Sequence, residues 1–98
     1  MNKILNLLGL ACRAGKLRLG FTATSVAVKK GEALMVIMAK DSSPHTREKM
    51  ERLCKRYRVD IYYIADQAKL GQALGKHLQT VVGLSSREMA STIKALME

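Results

Sequence analysis

The sequence predicts an α/β protein, folded as a three-layer α/β/α sandwich in one domain over residues 1–98. Two observations lead to this class. Segments with helical apolar spacing alternate along the chain with short strand-like apolar runs, and the connections between them are short. The chain also has the length of one small domain, and 48% of its residues are hydrophobic, which is enough to form a core.

The first half of the chain predicts two helices and two strands. Apolar residues at helical spacing predict a first helix that ends at Gly15, and alternating residues over 16–20 predict a short strand. Residues 22–30 follow as a second helix with Thr22 as its N-cap. The continuous apolar run 33–39 predicts a strand covered on both faces. The core positions of the first helix are Ile4, Leu5, Leu8, Ala11 and Cys12.

The middle of the chain predicts a third helix and a third strand. Ser43 as N-cap and Pro44 as first residue begin this helix, which runs to about Arg58. A second strand-like run covers 59–65. The predicted core stripe of the helix is Met50, Leu53, Cys54 and Tyr57, and its exposed face carries the i,i+4 pairs Glu48–Arg52 and Glu51–Lys55.

The remaining segment predicts two more helices around a last strand. Asp66 caps a fourth helix that ends at Gly75, and residues 80–84 form the strand. Ser85 and Glu88 have the spacing of a capping box for the final helix. The predicted core face of that helix is Met89, Ala90, Ile93, Leu96 and Met97.

The charge is strongly basic and unevenly distributed. The net charge is +9 and the sequence pI is about 10.0. Residues 1–31 contain six basic residues and no acid, residues 32–58 carry +3, and residues 59–98 are neutral. Such a balance favours a polyanionic partner, and its position predicts an anion-binding face in the first third of the chain.

The sequence shows no sign of an enzyme, a metal site or a cofactor. The glycine spacing from Gly15 to Thr22 is that of a phosphate-binding P-loop, but Phe21 replaces the lysine that the loop requires. The two histidines lack partners at catalytic or metal-binding spacing. Cys12 and Cys54 lie at apolar helical positions, which is typical of thiols in a reducing cytosol. No apolar run is long enough for a membrane helix, so we expect a cytoplasmic protein.

The kind of polyanion can be narrowed. Helix-turn-helix and zinc-finger spacings are absent from the sequence, so DNA is not the expected partner. The four aromatic residues include three tyrosines in core-type patterns, which excludes an aromatic stacking platform for single-stranded RNA. The remaining possibility for a polyanionic partner is a folded RNA, recognised by its shape and its phosphates.

The order of several short blocks resembles the L7Ae type of ribosomal protein, a family that also includes the L30e proteins and small bacterial homologues. The resemblance covers essentially the whole chain. It implies a four-stranded mixed sheet in the sandwich and a ribonucleoprotein role, in which the protein binds a kink-turn or other structured RNA, including ribosomal RNA. The blocks that carry it are 14–20, 29–31, 36–41 with Ser43 and Pro44, 69–71, and 80–84.

The resemblance also implies where the RNA is held. The family's second helix begins with a glycine followed by Asn, Glu and Lys, which contact base edges. Here Gly20 keeps the glycine, while Thr22, Ala23 and Val26 occupy the three reading positions. Phosphate contacts position a protein and base contacts specify its sequence. We therefore expect RNA binding with modest preference for a kink-turn.

The candidate RNA-binding residues fall into two segments. The resemblance also implies a contact from the loop after the last strand, where Leu84 either packs on an extruded nucleotide or belongs to the core. The alternative function is a protein-interaction adaptor that uses the same basic face on an acidic partner. The candidates are Lys16, Arg18, Gly20, Phe21, Thr22, Lys29, Lys30, Gly83, Leu84 and Ser85.

Overall fold

A computed structural model describes residues 2–97, which form five helices and four strands in alternation. Each strand in the structure is one to three residues shorter than the sequence predicts, because the paired residues cover only part of each predicted run. The elements are α1 (Asn2–Arg13), β1 (Leu17–Leu19), α2 (Phe21–Lys29), β2 (Met35–Met38), α3 (Pro44–Tyr57), β3 (Asp60–Tyr63), α4 (Gln67–Ala73), β4 (Val81–Leu84) and α5 (Arg87–Met97).

The sheet is mixed, as the resemblance implies, with the strand order β1-β4-β2-β3. The last strand, β4, lies inside the sheet and is antiparallel to both of its neighbours: Val82 pairs with Leu19 of β1 and with Ile37 of β2. β2 and β3 are parallel. The end of β1 and the start of β4 therefore lie at the same edge of the sheet as the ends of β2 and β3.

Helices cover both faces of the sheet, which confirms the predicted three-layer sandwich. Alternate residues of β2 face opposite cores. Met35 and Ile37 pack in the cluster with α1, α4 and α5, whereas Val36 and Met38 pack in the cluster with α2 and α3. In residues 2–97 no helix has the length and apolar character needed to cross a bilayer.

Two of the four predicted helix caps are confirmed. The Ser43 hydroxyl accepts a hydrogen bond from the Thr46 amide at 3.2 Å, and the Asp66 carboxylate accepts one from the Lys69 amide at 2.8 Å. The other two are wrong. α2 begins one residue earlier than expected and its N-cap is Gly20, so Thr22 lies inside the helix.

The predicted capping box at the start of α5 is displaced by one residue. The Ser86 hydroxyl accepts a hydrogen bond from the Met89 amide at 3.3 Å. Ser85 is held elsewhere, because its hydroxyl donates to the Lys16 carbonyl at 3.0 Å. A tertiary contact thus removes Ser85 from the role that its local spacing predicts.

The helical core stripes are correct in their centres and wrong at their ends. Met50, Cys54 and Ile93 are buried, but Tyr57 is 40% exposed, and the end of α5 is exposed as well at Leu96 and Met97. These last turns extend past the layer that the sheet can cover. Of the predicted ion pairs, Glu48–Arg52 is present at 3.6 Å, while Glu51 accepts a hydrogen bond from the Tyr63 hydroxyl.

Candidate nucleic-acid interface

The start of α2 presents backbone donors that no side chain caps. Gly20, the N-cap, has φ 93° and ψ 168°, a conformation that is essentially restricted to glycine. Because glycine has no side chain, the amides of Phe21 and Thr22 receive no side-chain cap, and both residues are exposed. Free amides and the positive end of the helix dipole form a seat for a phosphate group.

Buried contacts fix this helix end on the sheet. The Gly20 amide donates to the Val81 carbonyl at 3.0 Å, and the Thr24 hydroxyl donates to the Arg18 carbonyl at 3.1 Å. Thr24 is fully buried and passes over Gly83, where a Cβ atom would lie 3.2 Å from Thr24 Cγ2. The missing side chain of Gly83 lets α2 approach the sheet closely, and the donors of its first turn are held in place.

The loop before β4, residues 75–80, lies beside the start of α2, because Gly20 is bonded to the first residue of β4. We call it the β4 loop. Its last residues are tied down: the Gln79 side-chain amide donates to the Val81 carbonyl at 3.0 Å, and the Thr80 hydroxyl donates to the Gln67 side chain at 2.9 Å. These hydrogen bonds fix the end of the β4 loop next to Val81.

The tip of the β4 loop exposes an apolar side chain between polar neighbours. Leu78 is 53% exposed and follows the exposed Lys76 and His77. The backbone beneath it packs directly on α4, since a Cβ atom on Gly71 would lie 2.9 Å from both the His77 oxygen and Leu78 Cα. A backbone packed on α4 thus presents an exposed leucine three residues before Val81, which accepts the hydrogen bond from the Gly20 amide.

Sequence reasoning selected the loop after β4 and did not select the β4 loop. The structure settles the two alternatives for Leu84 in favour of the core, because Leu84 is fully buried with α1, α4 and α5. Gly83 is likewise buried under α2. Two features could have pointed to Leu78 as a surface residue near α2. Leu78 falls outside the helical pattern that ends at Gly75, and an antiparallel β1–β4 pair puts the start of β4 beside the end of β1.

The candidate residues therefore divide between two edges of the sheet. Gly20, Phe21 and Thr22 lie at the edge where α2 begins, which we call the α2-start edge. Lys16 and Ser85 lie at the opposite edge, where the Ser85 amide and hydroxyl both donate to the Lys16 carbonyl.

The other cationic candidates lie away from the start of α2. Lys29 and Lys30 are exposed at the far end of this nine-residue helix, about 13 Å from its start. Arg18 lies in the middle of β1, and its guanidinium donates to the carbonyls of Gly15 and Leu17. The uncapped amides of α2 therefore form no single cluster with the four cationic candidates Lys16, Arg18, Lys29 and Lys30.

Further cations lie at the α2-start edge that sequence reasoning did not select. The Ala39 amide donates to the Thr80 carbonyl at 2.8 Å, so the end of β2 adjoins the β4 loop. At this edge Lys40 follows β2, and Lys69 lies in α4. Both lysines line a shallow cleft together with Asp41, Ala65 and Asp66. Lys76 in the β4 loop adds one positive charge at this edge, while Asp41 and Asp66 balance the charges of Lys40 and Lys69.

The three base-reading positions lie on the surface of α2. Thr22 is exposed, Ala23 is partly exposed and Val26 is 44% exposed. These three positions therefore present one hydroxyl and two apolar side chains at the surface of α2.

Two side chains packed with α3 have raised pKa values. Burial raises the pKa of the Cys54 thiol to about 11. Desolvation, followed by the hydrogen bond to Glu51, raises the pKa of Tyr63 to about 12. Both groups stay protonated at neutral pH. Within residues 2–97, no group of three or more His, Cys, Asp or Glu side chains is placed to hold a metal ion.

Relatives with similar sequences carry the name of RNA-binding proteins. A protein of Enterococcus faecium called "RNA-binding protein YlxQ" is 33% identical over 96 residues, which is 98% of this chain and 92% of that protein. Its namesake in Bacillus subtilis (strain 168) is 29% identical over 92 residues, 94% of this chain and 92% of that protein.

Solved structures show the same fold. A Bacillus halodurans protein of unknown function superimposes with a TM-score of 0.94 at 33% identity, over 99% of this chain and 98% of its own. The Giardia lamblia 15.5kD RNA binding protein superimposes with a TM-score of 0.81 at 21% identity, over 98% and 82% respectively. A family model matches residues 2–95. The chain belongs to the ribosomal protein L7Ae/L30e/S12e/Gadd45 family.

Proposed function

We propose that this protein binds structured RNA through the α2-start edge, without catalysing a reaction. The observation that carries the proposal is the uncapped N-terminus of α2, held against the ordered β4 loop with its exposed Leu78. Family membership and the two relatives named as RNA-binding proteins support it.

Each part of the edge has a separate task in this proposal. The amides of Phe21 and Thr22 donate hydrogen bonds to a phosphate, at the positive end of the helix dipole. Leu78 packs against an unstacked nucleobase, as single-stranded and bulged RNA offers. Lys40 and Lys69 neutralise phosphates beside the helix end.

The cations away from this edge contribute to binding through longer-range attraction. Lys16, Arg18, Lys29 and Lys30 raise the positive potential of the molecule, and they neutralise phosphates of an RNA that extends past the helix end. We place the protein in the cytoplasm with ribosomal RNA or another kinked RNA as its partner.

The side chains on α2 set how strongly the protein prefers a kink-turn. Thr22 offers one hydroxyl, and Ala23 and Val26 offer no hydrogen bond to a base edge. Each lost reading contact removes roughly 1–3 kcal/mol of discrimination, by analogy with DNA readout. The preference for a kink-turn over a matched duplex is therefore modest.

Titration of a kink-turn hairpin and a matched plain duplex across a salt series tests both parts. Affinity for each RNA is expected to fall steeply with salt, and the ratio between them to stay small. A flat salt response overturns the electrostatic mechanism. A ratio of many orders of magnitude shows that the substitutions on α2 do not weaken base reading.

A pull-down from lysate with and without ribonuclease distinguishes RNA from a protein partner. RNA binding predicts that captured components are lost on digestion. Partners that survive digestion favour the adaptor role instead.

A further inference from the structure

The helix α3 carries a second concentration of positive charge. Residues 44–58 contain six Lys and Arg residues and two Glu residues, a net charge of +4. Four side chains at i, i+3, i+4 and i+7 spacing share one side of the helix and line a shallow depression there. We call them the α3 flank: Lys49, Arg52, Leu53 and Arg56.

The α3 flank lies on the side of α3 that is turned away from β3. On the other side of α3, Glu51 accepts a hydrogen bond from Tyr63 of β3, which is an edge strand of the sheet. α2 packs on β1, β4 and α3, and therefore lies on the side of α3 away from β3. Lys49 is turned from Glu51 by about 200° around the helix. The flank consequently borders α2.

The acidic residues of α3 compensate only part of the charge on the α3 flank. Glu51 is engaged with Tyr63 on the far side of the helix. Glu48 pairs with Arg52 at 3.6 Å, but both side chains are largely exposed. An exposed i,i+4 ion pair is weak, so it does little to hold the Arg52 guanidinium away from another anion.

The fold gains little from the cations of the α3 flank. Lys49 and Arg52 are three residues apart and Arg52 and Arg56 are four apart, and like charges at these spacings destabilise a helix. Arg56 lies in the last turn of α3, where its positive charge interacts favourably with the helix dipole. Its guanidinium carbon lies 5.8 Å from the centroid of the Tyr57 ring. Lys49 and Arg52 lie too far from either helix end for that effect.

We propose that the α3 flank binds the sugar–phosphate backbone of an RNA duplex arm that extends from the α2-start edge. The inference rests on the proposed function. α2 and α3 pack together on one face and begin at the same edge of the sheet, so an RNA held at the start of α2 can run along both helices. Cations on such a face complement a phosphate backbone.

The geometry of the α3 flank suits a backbone rather than a base. From Lys49 to Arg56 it extends about 10 Å along the helix. Planar guanidinium groups bind phosphate oxygens with two parallel hydrogen bonds. Leu53 between them is partly buried and offers no hydrogen bond. The surface therefore adds affinity without adding sequence preference.

The test compares two double variants on two RNA hairpins. Lys49→Gln/Arg52→Gln removes two charges from the α3 flank. Lys3→Gln/Lys94→Gln removes two exposed charges from α1 and α5, on the other face of the sheet. One kink-turn hairpin has a duplex arm long enough to cross α3, and the other is cut back to its kinked core.

The flank variant is expected to bind the long-armed hairpin roughly tenfold more weakly at low salt, with a salt slope reduced by about 1.5. Its affinity for the short hairpin stays close to that of the unaltered protein. The control variant weakens both hairpins equally and by less. Circular dichroism and thermal melting establish that both variants are folded.

Three results overturn the inference. The first is equal loss with the flank and control variants, and the second is equal loss on the long and short hairpins. The third is tighter binding of polyglutamate than of the long hairpin by the wild-type protein, provided that Lys49→Gln/Arg52→Gln abolishes the polyglutamate binding. The α3 flank would then fit an acidic protein rather than RNA. If the wild-type protein binds neither hairpin, the proposed function fails together with this inference. If it binds both hairpins and one of the three results above is obtained, only this inference fails.

Discussion

The two edges of the sheet carry candidate residues of the same basic segment, but they are built differently. At the α2-start edge, backbone amides are fixed by buried contacts through Thr24 and Val81. At the opposite edge, Lys16 and Lys30 present exposed, flexible side chains. Charge in a sequence therefore identifies a basic face, while the rigid donors that can orient a ligand depend on the backbone.

The largest expected difference in stability is between Leu78, in the loop before β4, and Leu84, the last residue of β4. Leu84→Ala removes a fully buried side chain and is expected to lower the free energy of unfolding by about 3 kcal/mol. Leu78→Ala changes an exposed side chain and leaves stability within about 0.5 kcal/mol. Urea denaturation measures both.

RNA titration of the same two variants gives the opposite order. Leu78→Ala is expected to weaken binding about fivefold, because it removes roughly 1 kcal/mol of apolar contact with a nucleobase. Folded Leu84→Ala protein keeps its affinity. If the Leu84 variant loses affinity and the Leu78 variant does not, the interface lies after β4 rather than before it.

Two close backbone contacts test whether the β4 loop must be fixed. Gly71→Ala forces a Cβ atom to 2.9 Å from the His77 oxygen, and Gly9→Ala forces one to 2.9 Å from the Ala73 oxygen. Each is expected to cost about 2 kcal/mol in unfolding experiments. RNA affinity is expected to fall for folded Gly71→Ala protein alone, since that strain moves Leu78. Equal affinities contradict a role for the loop.

The glycines at the two ends of α2 form a smaller, matched comparison. Gly20 has φ 93° and Gly31 has φ 75°, and a Cβ atom would meet nothing within 4 Å at either position. Alanine is expected to cost about 1–2 kcal/mol at each, through backbone strain alone. Gly20→Ala also distorts the uncapped amides, so RNA affinity is expected to fall there and to persist in Gly31→Ala.

The smallest effect is expected from the lysines far from the start of α2. Lys29→Gln/Lys30→Gln is expected to reduce the salt slope by about 1.5 on a kink-turn and on a plain duplex alike. Lys40→Gln/Lys69→Gln is expected to weaken the kink-turn more than the duplex, because these lysines lie at the α2-start edge. A loss of kink-turn preference in the first variant contradicts this division.

The predictability of the fold followed the range of each interaction. The Ser43 and Asp66 caps depend on residues three positions away, and local spacing identified them. Ser85 has an equally good local pattern, but its hydrogen bond to Lys16 spans 69 residues. Tyr57 follows the apolar period of α3 and is exposed because the covered layer ends before the helix does.

The candidate site was predicted in part for a similar reason. The glycine at Gly20 and the basic segment around it are visible in the sequence, so one half of the α2-start edge was identified. The other half, the β4 loop, adjoins Gly20 through a hydrogen bond to Val81. Finding Leu78 required the strand order, which places a late segment of the chain beside an early one.

The position of β4 inside the sheet has a consequence for the nascent chain. β1 leaves the ribosome long before β4, the strand with which it pairs. Until Val81 has been synthesised, the Gly20 amide lacks the acceptor that positions the start of α2. Pairing across so long an interval is intrinsically slow. In the proposed function, the RNA-binding start of α2 is therefore completed only after β4 has been synthesised.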